Sequence, residues 1–303
     1  MHAWEAIQKT IDEIEIRIGE ELAVEELAKL AALSDFYYQR LFSMLVKKPL
    51  REYIKLRRLA RSCESLVDKQ NRILDVALEY GFGSHEVYTR SFKSAYGLTP
   101  AEYRDNPVNL NHFVKPDLLL GYVLIDEGVP LISDGLVLEI NRKAIDSELV
   151  FVGVQGHVSI AVQIPNGEKT GVDMPGEIWG TFNQEVERIP GKPNGRRLGV
   201  AYMGDAPQGY FTYFAGIETR DQAEIGDFTS WTLPAREYIV CGFEAETFDE
   251  LVTSALAKAT NYMGLWLKKH NMAYGSFSAE LYFDDTPNGA YMEIWAPYTV
   301  SQP

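Results

Sequence analysis

Cysteine is scarce in this chain: Cys63 and Cys241 stand 178 positions apart in 303 residues. That excludes a disulfide framework, and two reduced thiols in a cytoplasmic protein is the economical reading. Long apolar runs are missing as well. The longest, 118–125, falls far short of the ~20 residues a membrane-spanning helix needs. Residues 1–18 lack a basic start followed by an apolar block, which argues against a signal peptide. Histidine is limited to His2, His85, His112, His157 and His270, with no spacing that suits a metal. Neither a G-x-S-x-G turn nor a glycine-rich phosphate loop occurs. The expectation is a chain with no cofactor, no metal, no membrane segment and no enzymatic activity.

Net positive charge is also absent: the formal charge is −14, which at first argues against nucleic acid. Its distribution reverses that argument. Residues 1–112 hold 16 Lys/Arg against 17 Asp/Glu, and residues 113–303 hold 13 against 26. Within 40–61 stand eight basic residues (Arg40, Lys47, Lys48, Arg51, Lys55, Arg57, Arg58, Arg61) and a single acid, Glu52. A basic stretch on a nearly neutral segment is a usable phosphate-binding footprint. At this length two domains are the natural prior.

The stretch 81–104, GFGSHEVYTRSFKSAYGLTPAEYR, organises the first half. Gly81 can take the positive φ of a sharp helix–helix turn, and Ser84 stands at an N-cap position. Tyr88, Ser91, Phe92 and Ala95 fall at helical spacing on one face. His85, Glu86, Thr89, Arg90 and Lys93 fall on the other. Gly97 closes this helix, and Thr99, Pro100 and Glu102 form the start signal of the next. Shifted by 50 residues, Ser34, Arg40, Phe42, Glu52 and Tyr53 meet Ser84, Arg90, Phe92, Glu102 and Tyr103. Upstream the shift is 49, pairing Ala28, Ala32 and Leu33 with Ala77, Gly81 and Phe82. Two helix-turn-helix units therefore emerge, spaced by one long basic helix over 49–67. Such a pair can set two recognition helices about one duplex turn, ~34 Å, apart.

Residues 3–104 resemble the DNA-binding domain of the AraC/XylS family of transcription regulators. LAALSDFYYQRLF, REYIKLRRLARS and VALEYGFGSHEVYTRSFKSAYGLTPAEYR carry the resemblance. It implies a first recognition helix presenting Phe36, Gln39 and Arg40, and a second presenting His85, Glu86, Val87, Thr89 and Arg90. Arginine suits guanine O6/N7 or phosphate, Gln39 suits adenine, and Phe36 or Val87 suits a thymine methyl. Thr89 and Lys93 suit the DNA backbone. Glu86 either reaches cytosine or pairs with Arg90 four residues on. Lys47 stands where the family has a helix-ending glycine, so a different cap is expected there.

Residues 108–135, with Pro116 and Pro130 among them, read as a linker. From 136 on, candidate strands at 149–156, 198–204, 210–217, 236–243, 277–283 and 290–296 alternate with helices near 175–188 and 248–270. Strand, helix, strand, strand occurs twice, which makes an α+β domain. The fold class is thus multidomain: an all-α double helix-turn-helix domain of seven helices over 1–107, then this α+β domain over 136–303. Residues 148–300 resemble the GyrI-like, or AraC-type, effector-binding domain, on the segments IWGTFNQEVERIPG, SWTLPAREYIVCGF, GSFSAELYFDD and YMEIWAPY. An AraC-type head followed by this domain is a Rob-like architecture.

The resemblance implies an aromatic pocket with acids for hydrophobic cations, with Glu280 first and Glu293 second as candidates. Tyr282 and Trp295 follow each at i+2, on the same strand face. Carboxylate and ring together suit a quaternary or protonated amine. Trp179, Phe182, Tyr213 and Trp266 either line that pocket or fill the core. The expected function is a cytoplasmic transcription regulator whose partners are double-stranded DNA, a small-molecule effector and, as a further candidate, RNA polymerase. Two alternatives stand beside it. One is a xenobiotic binder or hydrolase using Glu280 and Glu293 as an acid–base pair. The other is a gyrase-inhibitor-like protein-binding module.

Overall fold

A computed structural model describes residues 2–189, 195–219, 225–283 and 290–300. Seven helices come first: α1 (Ala3–Ile16), α2 (Val24–Leu30), α3 (Asp35–Val46), α4 (Leu50–Val67), α5 (Ile73–Glu79), α6 (His85–Tyr96) and α7 (Pro100–Asp105). Strand β1 (Leu110–Asn111) and a short helix α8 (Leu118–Tyr122) follow. Next are β2 (Leu131–Ser133), β3 (Leu136–Ala144), β4 (Leu149–Ser159), α9 (Ile160–Gln163), β5 (Gly171–Val172) and α10 (Met174–Glu185). Strands β6 (Arg197–Tyr202), β7 (Tyr210–Glu218), β8 (Thr229–Leu233) and β9 (Glu237–Ala245) lead to α11 (Phe248–Glu250), a π-helical turn at Leu251–Ala255 and α12 (Leu256–Lys269). Strands β10 (Met272–Tyr274), β11 (Phe277–Phe283), β12 (Ala290–Ala296) and β13 (Tyr298–Val300) complete the order.

The chain divides into two compact units. The first runs to Tyr122 and also takes in Gly167–Val172; the second comprises Val123–Asn166 and the chain from Asp173 onward. Within the stretch 108–135 the division between the two units falls at Tyr122–Val123. To its seven helices the first unit adds α8 and a two-stranded ribbon of β1 and β5.

In the first unit the 50-residue offset is realised as matched geometry. Leu33 N–H donates to Ala28 carbonyl at 2.9 Å, and Phe82 N–H donates to Ala77 carbonyl at 2.8 Å. Ser34 caps α3 through the Tyr37 N–H, and Ser84 caps α6 through the Val87 N–H. Each turn needs a left-handed residue, supplied by Ala32 at φ 56° and Gly81 at φ 71°. Each recognition helix also ends on one, Lys47 at φ 61° and Gly97 at φ 84°. The cap at Lys47 thus keeps the glycine geometry, contrary to expectation, with a side chain in a backbone region that costs L-residues energy.

Helix α4 supplies both cores. Leu50, Tyr53 and Leu56 bury with Ile7, Ile11, Ile14, Tyr38 and Phe42. Leu59, Cys63 and Leu66 bury with Ala77, Tyr88, Phe92 and Tyr103. Two arginines anchor α4, and one of them, Arg58, reaches both halves of the unit. Arg57 pairs with Glu15 at 2.7 Å and donates to the Phe113 carbonyl at 2.6 Å. Burial works to raise the Glu15 pKa, but the Arg57 hydrogen bond and charge hold the carboxyl below its ordinary value. Arg58 donates to the carbonyls of Ile18, Gly81 and Glu20. A Cβ on Gly81 would lie 2.7 Å from the Arg58 guanidinium carbon, so a side chain there must displace the end of Arg58 and its bonds to the carbonyls of Ile18 and Glu20.

In the second unit a nine-stranded sheet has the order β2-β3-β9-β12-β11-β6-β7-β4-β8, with every described pairing antiparallel. The paired strand–helix–strand–strand pattern occupies its middle; β2, β3 and β8 extend it. One face carries α10, through Ile178 and Phe182 on Val152, Tyr213 and Ile217. Phe151, Leu198, Val200, Phe214, Val240, Leu281 and Trp295 fill the other. The sheet curls around that second face. Trp231 on β8 meets Phe277 on β11 with ring centroids 5.0 Å apart. They are four strand steps apart, which a flat sheet would make about 19 Å.

Candidate functional site

On α6, Ser84 and the buried stripe Tyr88, Phe92, Tyr96 turn the opposite face to solvent. His85, Glu86, Thr89, Arg90, Lys93 and Ser94 line one shallow groove along that face. Val87 is exposed beside them. Hydrogen bonding from the Ser84 side chain and from its own backbone N–H holds the Glu86 carboxyl below its ordinary pKa. On α3, Phe36 is 70% exposed, and Gln39 and Arg40 project from the same exposed side. Tyr37 packs edge-on against Phe36 with centroids 5.6 Å apart, and it is also exposed.

The basic stretch 40–61 is smaller as a surface than as a count. Arg57 and Arg58 are consumed as described, and Lys55 pairs with Glu52 at 2.6 Å. Lys48 is half-buried with its Nζ over the Phe113 ring, and Arg40, Lys47, Arg51 and Arg61 remain exposed. These are the cations a phosphate backbone could meet.

In the second unit the register separates the two candidate glutamates. Glu280 stands opposite Ile294 on β12 and Gly199 on β6. Glu293 stands opposite Leu281 and Gly242. Directly opposed residues share a sheet face, so Glu280 and Glu293 point to opposite faces and cannot act on one molecule. The acid–base pair considered from the sequence is thereby corrected.

Glu280 lies on the α10 face. Its Oε2 accepts from the Tyr213 hydroxyl at 2.6 Å and the Tyr282 hydroxyl at 3.1 Å. Trp179 on α10 donates its Nε1–H to the Tyr213 oxygen at 3.0 Å and meets the Tyr282 ring at 4.9 Å. Phe248 approaches Tyr282 from the start of α11 at 6.4 Å. The two rings that bond this carboxylate thus come from strands β7 and β11, and Trp179 on α10 packs against both of them. Gly199 permits this packing, since a Cβ there would come within 2.2 Å of the Tyr213 oxygen and 3.0 Å of Glu280 Oε2. Burial raises the Glu280 pKa, opposed by the two tyrosine hydrogen bonds, and the charge of Asp173 raises it further. Asp173, at the N-cap of α10, is itself raised by burial.

Glu293 is only 3% exposed and already has its cation. Lys143 Nζ and the Tyr291 hydroxyl each donate to Oε1 at 2.6 Å, and Trp295 Nε1–H donates to Oε2 at 2.8 Å. Lys143 also stands 5.9 Å from the centre of the Trp295 ring. Trp266 is fully buried and donates to the Ile125 carbonyl, so it is core. Phe182 is core as well, whereas Tyr213 both packs and bonds Glu280. Sequence reasoning missed Gly199, Asp173 and Phe248. Among the described residues no His/Cys/Asp/Glu group could hold a metal ion, and no helix is long and apolar enough to cross a membrane.

Two matched reading helices on one spacer helix, followed by a sheet that holds a ring-enclosed carboxylate, define a duplicated helix-turn-helix protein with an appended effector-type domain. A helix-turn-helix domain family model matches residues 27–106, and an integron-associated effector binding protein model matches 157–297. Over 94 residues the chain is 36% identical to the probable transcription factor PqrA of Proteus vulgaris, covering 31% of this chain and 77% of that protein. The chain belongs to the AraC/XylS family of transcription regulators. It is also 38% identical over 104 residues to the uncharacterized HTH-type transcriptional regulator YbfP of Bacillus subtilis, covering 34% of this chain. With the right origin-binding protein of Escherichia coli it shares 33% identity over 114 residues, 38% of this chain. These matches span only 35% of YbfP and 39% of the right origin-binding protein.

Proposed function

We propose that the protein regulates transcription by reading an asymmetric duplex site with α3 and α6, and that a hydrophobic cation at Glu280 changes that reading. The single observation that carries it is the matched geometry of the two helix-turn-helix units on a shared spacer helix. It supports simultaneous insertion in successive major grooves, with no need for a dimer. Arg40 and Arg90 read guanine or bind phosphate, Gln39 reads adenine, and Phe36 and Val87 meet thymine methyls. His85 and Glu86 contact base edges, while Thr89 and Lys93 position the backbone.

In the second unit Glu280, Tyr282 and Trp179, with Tyr213, form the cation site. The carboxylate supplies charge and the rings supply cation–π attraction. Glu293 and Trp295 take no part in it, because Lys143 already occupies their place for a cation. A cytoplasmic setting and a contact with RNA polymerase from the DNA-bound protein go with this reading through family membership.

The test is a salt-titrated gel shift on a duplex selected from a random pool by the full chain. Arg90→Ala should weaken the selected site more than random duplex, by about 1–3 kcal/mol if it reads a base. Equal weakening on every duplex would reject specific readout by that residue.

A further inference from the structure

The chain leaves the second unit after Asn166, spends Gly167–Val172 in the first unit, and returns at Asp173. Within the first unit this excursion pairs with the strand that follows α7. Leu110 stands opposite Val172, and Asn111 opposite Gly171. The Val114 N–H donates to the Gly167 carbonyl at 2.7 Å. Strand β5 also lies against α6.

Its partner segment is keyed into both heads. Leu110 is buried with Phe92 and Tyr96 in the second core. His112 Nδ1 is 2.9 Å from the Tyr96 hydroxyl. Phe113 is buried in the first core, edge-on to Tyr53, and its carbonyl takes the Arg57 hydrogen bond. The residue after β5 is Asp173, the N-cap of α10, and α10 carries the Trp179 that bonds Tyr213 beside Glu280. One peptide bond therefore separates a strand held on the reading head from the helix that roofs the effector site.

We propose that β5 is the strap through which occupancy of the effector site reaches the second recognition helix. The proposal rests on the effector reading above. A ribbon of two residue pairs has little stability of its own, so a small shift of the α10 N-terminus tips it between seated and released. Seated, it fixes Leu110 under Phe92 and Tyr96 on the buried side of α6. Released, it leaves that side less tightly held. Coupling by a device of this kind falls in the range of about 5- to 150-fold in affinity.

The experiment uses the full chain, a duplex it has selected, and tetraphenylphosphonium as the cation. A Gly-Ser-Gly-Ser insert is placed between Val172 and Asp173, and in a control between Tyr122 and Val123. Both inserts are checked for unchanged duplex affinity without cation. In the wild type the cation changes duplex Kd by about fivefold or more. The 172/173 insert brings that ratio close to one, while the 122/123 insert keeps it. A ratio kept by the 172/173 insert, or lost equally by both, overturns the strap.

A second arm needs no ligand: Trp179→Ala is compared with wild type by amide hydrogen exchange. Faster exchange at Leu110, Asn111 and α6 supports the strap, and unchanged exchange there overturns it. If the cation causes no thermal shift in the wild type, the effector reading fails alone and this second arm decides the strap.

Discussion

Protonation of Glu280 should control cation binding, with a sign that follows from its surroundings. Burial raises its pKa above the ordinary carboxylate value, and the Tyr213 and Tyr282 hydroxyls counter part of that rise. A cation binds the ionised form, so affinity is weak below the raised pKa, climbs as pH passes through it, and levels off above. On the acid side the climb approaches tenfold per pH unit, because each unit is worth about 1.4 kcal/mol. Stability of the ligand-free protein runs the opposite way. A carboxyl whose folded pKa is raised favours the fold below its unfolded value, and that contribution is lost as pH rises through the folded value.

Removing the charge with Glu280→Gln should cost about 1.5–3 kcal/mol of binding, the attraction between unit charges about 6–10 Å apart at an effective dielectric of about 20. That is roughly a 10- to 150-fold loss in affinity. The assay is tetraphenylphosphonium titration followed by tryptophan fluorescence, from pH 5 to 8 in steps, with calorimetry in two buffers to count released protons. A flat profile in the wild type, or a Glu280→Gln protein that binds as tightly, would refute the assignment of the site to Glu280.

Three further outcomes follow from the fold. Ala32→Gly should raise the urea midpoint, since about 1–2 kcal/mol of left-handed strain outweighs the extra chain entropy of glycine. Gly81→Ala should lower it by about 2 kcal/mol or more, through the same backbone strain plus the clash with Arg58; a midpoint lowered by Ala32→Gly would contradict the turn geometry. Glu15→Ala should cost about 3–5 kcal/mol, because Arg57 is left buried without its partner, and amide exchange in α1 and α4 would report it. Inserting five or ten base pairs between the footprinted half-sites should abolish specific binding, because one continuous helix, α4, belongs to both cores; recovery at ten would mean that the heads move independently.

The first unit was legible in the sequence because its determinants are local. Caps at Ser34, Ser84 and Thr99, and turns at Ala32 and Gly81, each depend on a few adjacent residues. The fate of Arg57 and Arg58 was not, since both bond residues 23 to 56 positions away. In the second unit the central strands were legible from apolar runs. Strand β3 was overlooked although Leu136, Leu138 and Ile140 alternate inward. Its polar end at Asn141–Lys143 hid that signal.

Strand β8, with only five mixed residues, offered less. Which face Glu280 and Glu293 occupy depends on the β11–β12 register, where a one-residue change reverses every side chain. Tyr213 joins Glu280 only through the register of three strands, β7, β6 and β11. Nothing in its own neighbourhood announces that contact.

Coupling between the two units is tested most directly by the duplex affinity of the full chain with and without tetraphenylphosphonium, measured for wild type and Glu280→Gln at one salt concentration. The cation should change duplex Kd by about fivefold or more in the wild type and leave a ratio close to one in Glu280→Gln. An equal change in both proteins, or none in a wild type shown to bind the cation, would contradict it.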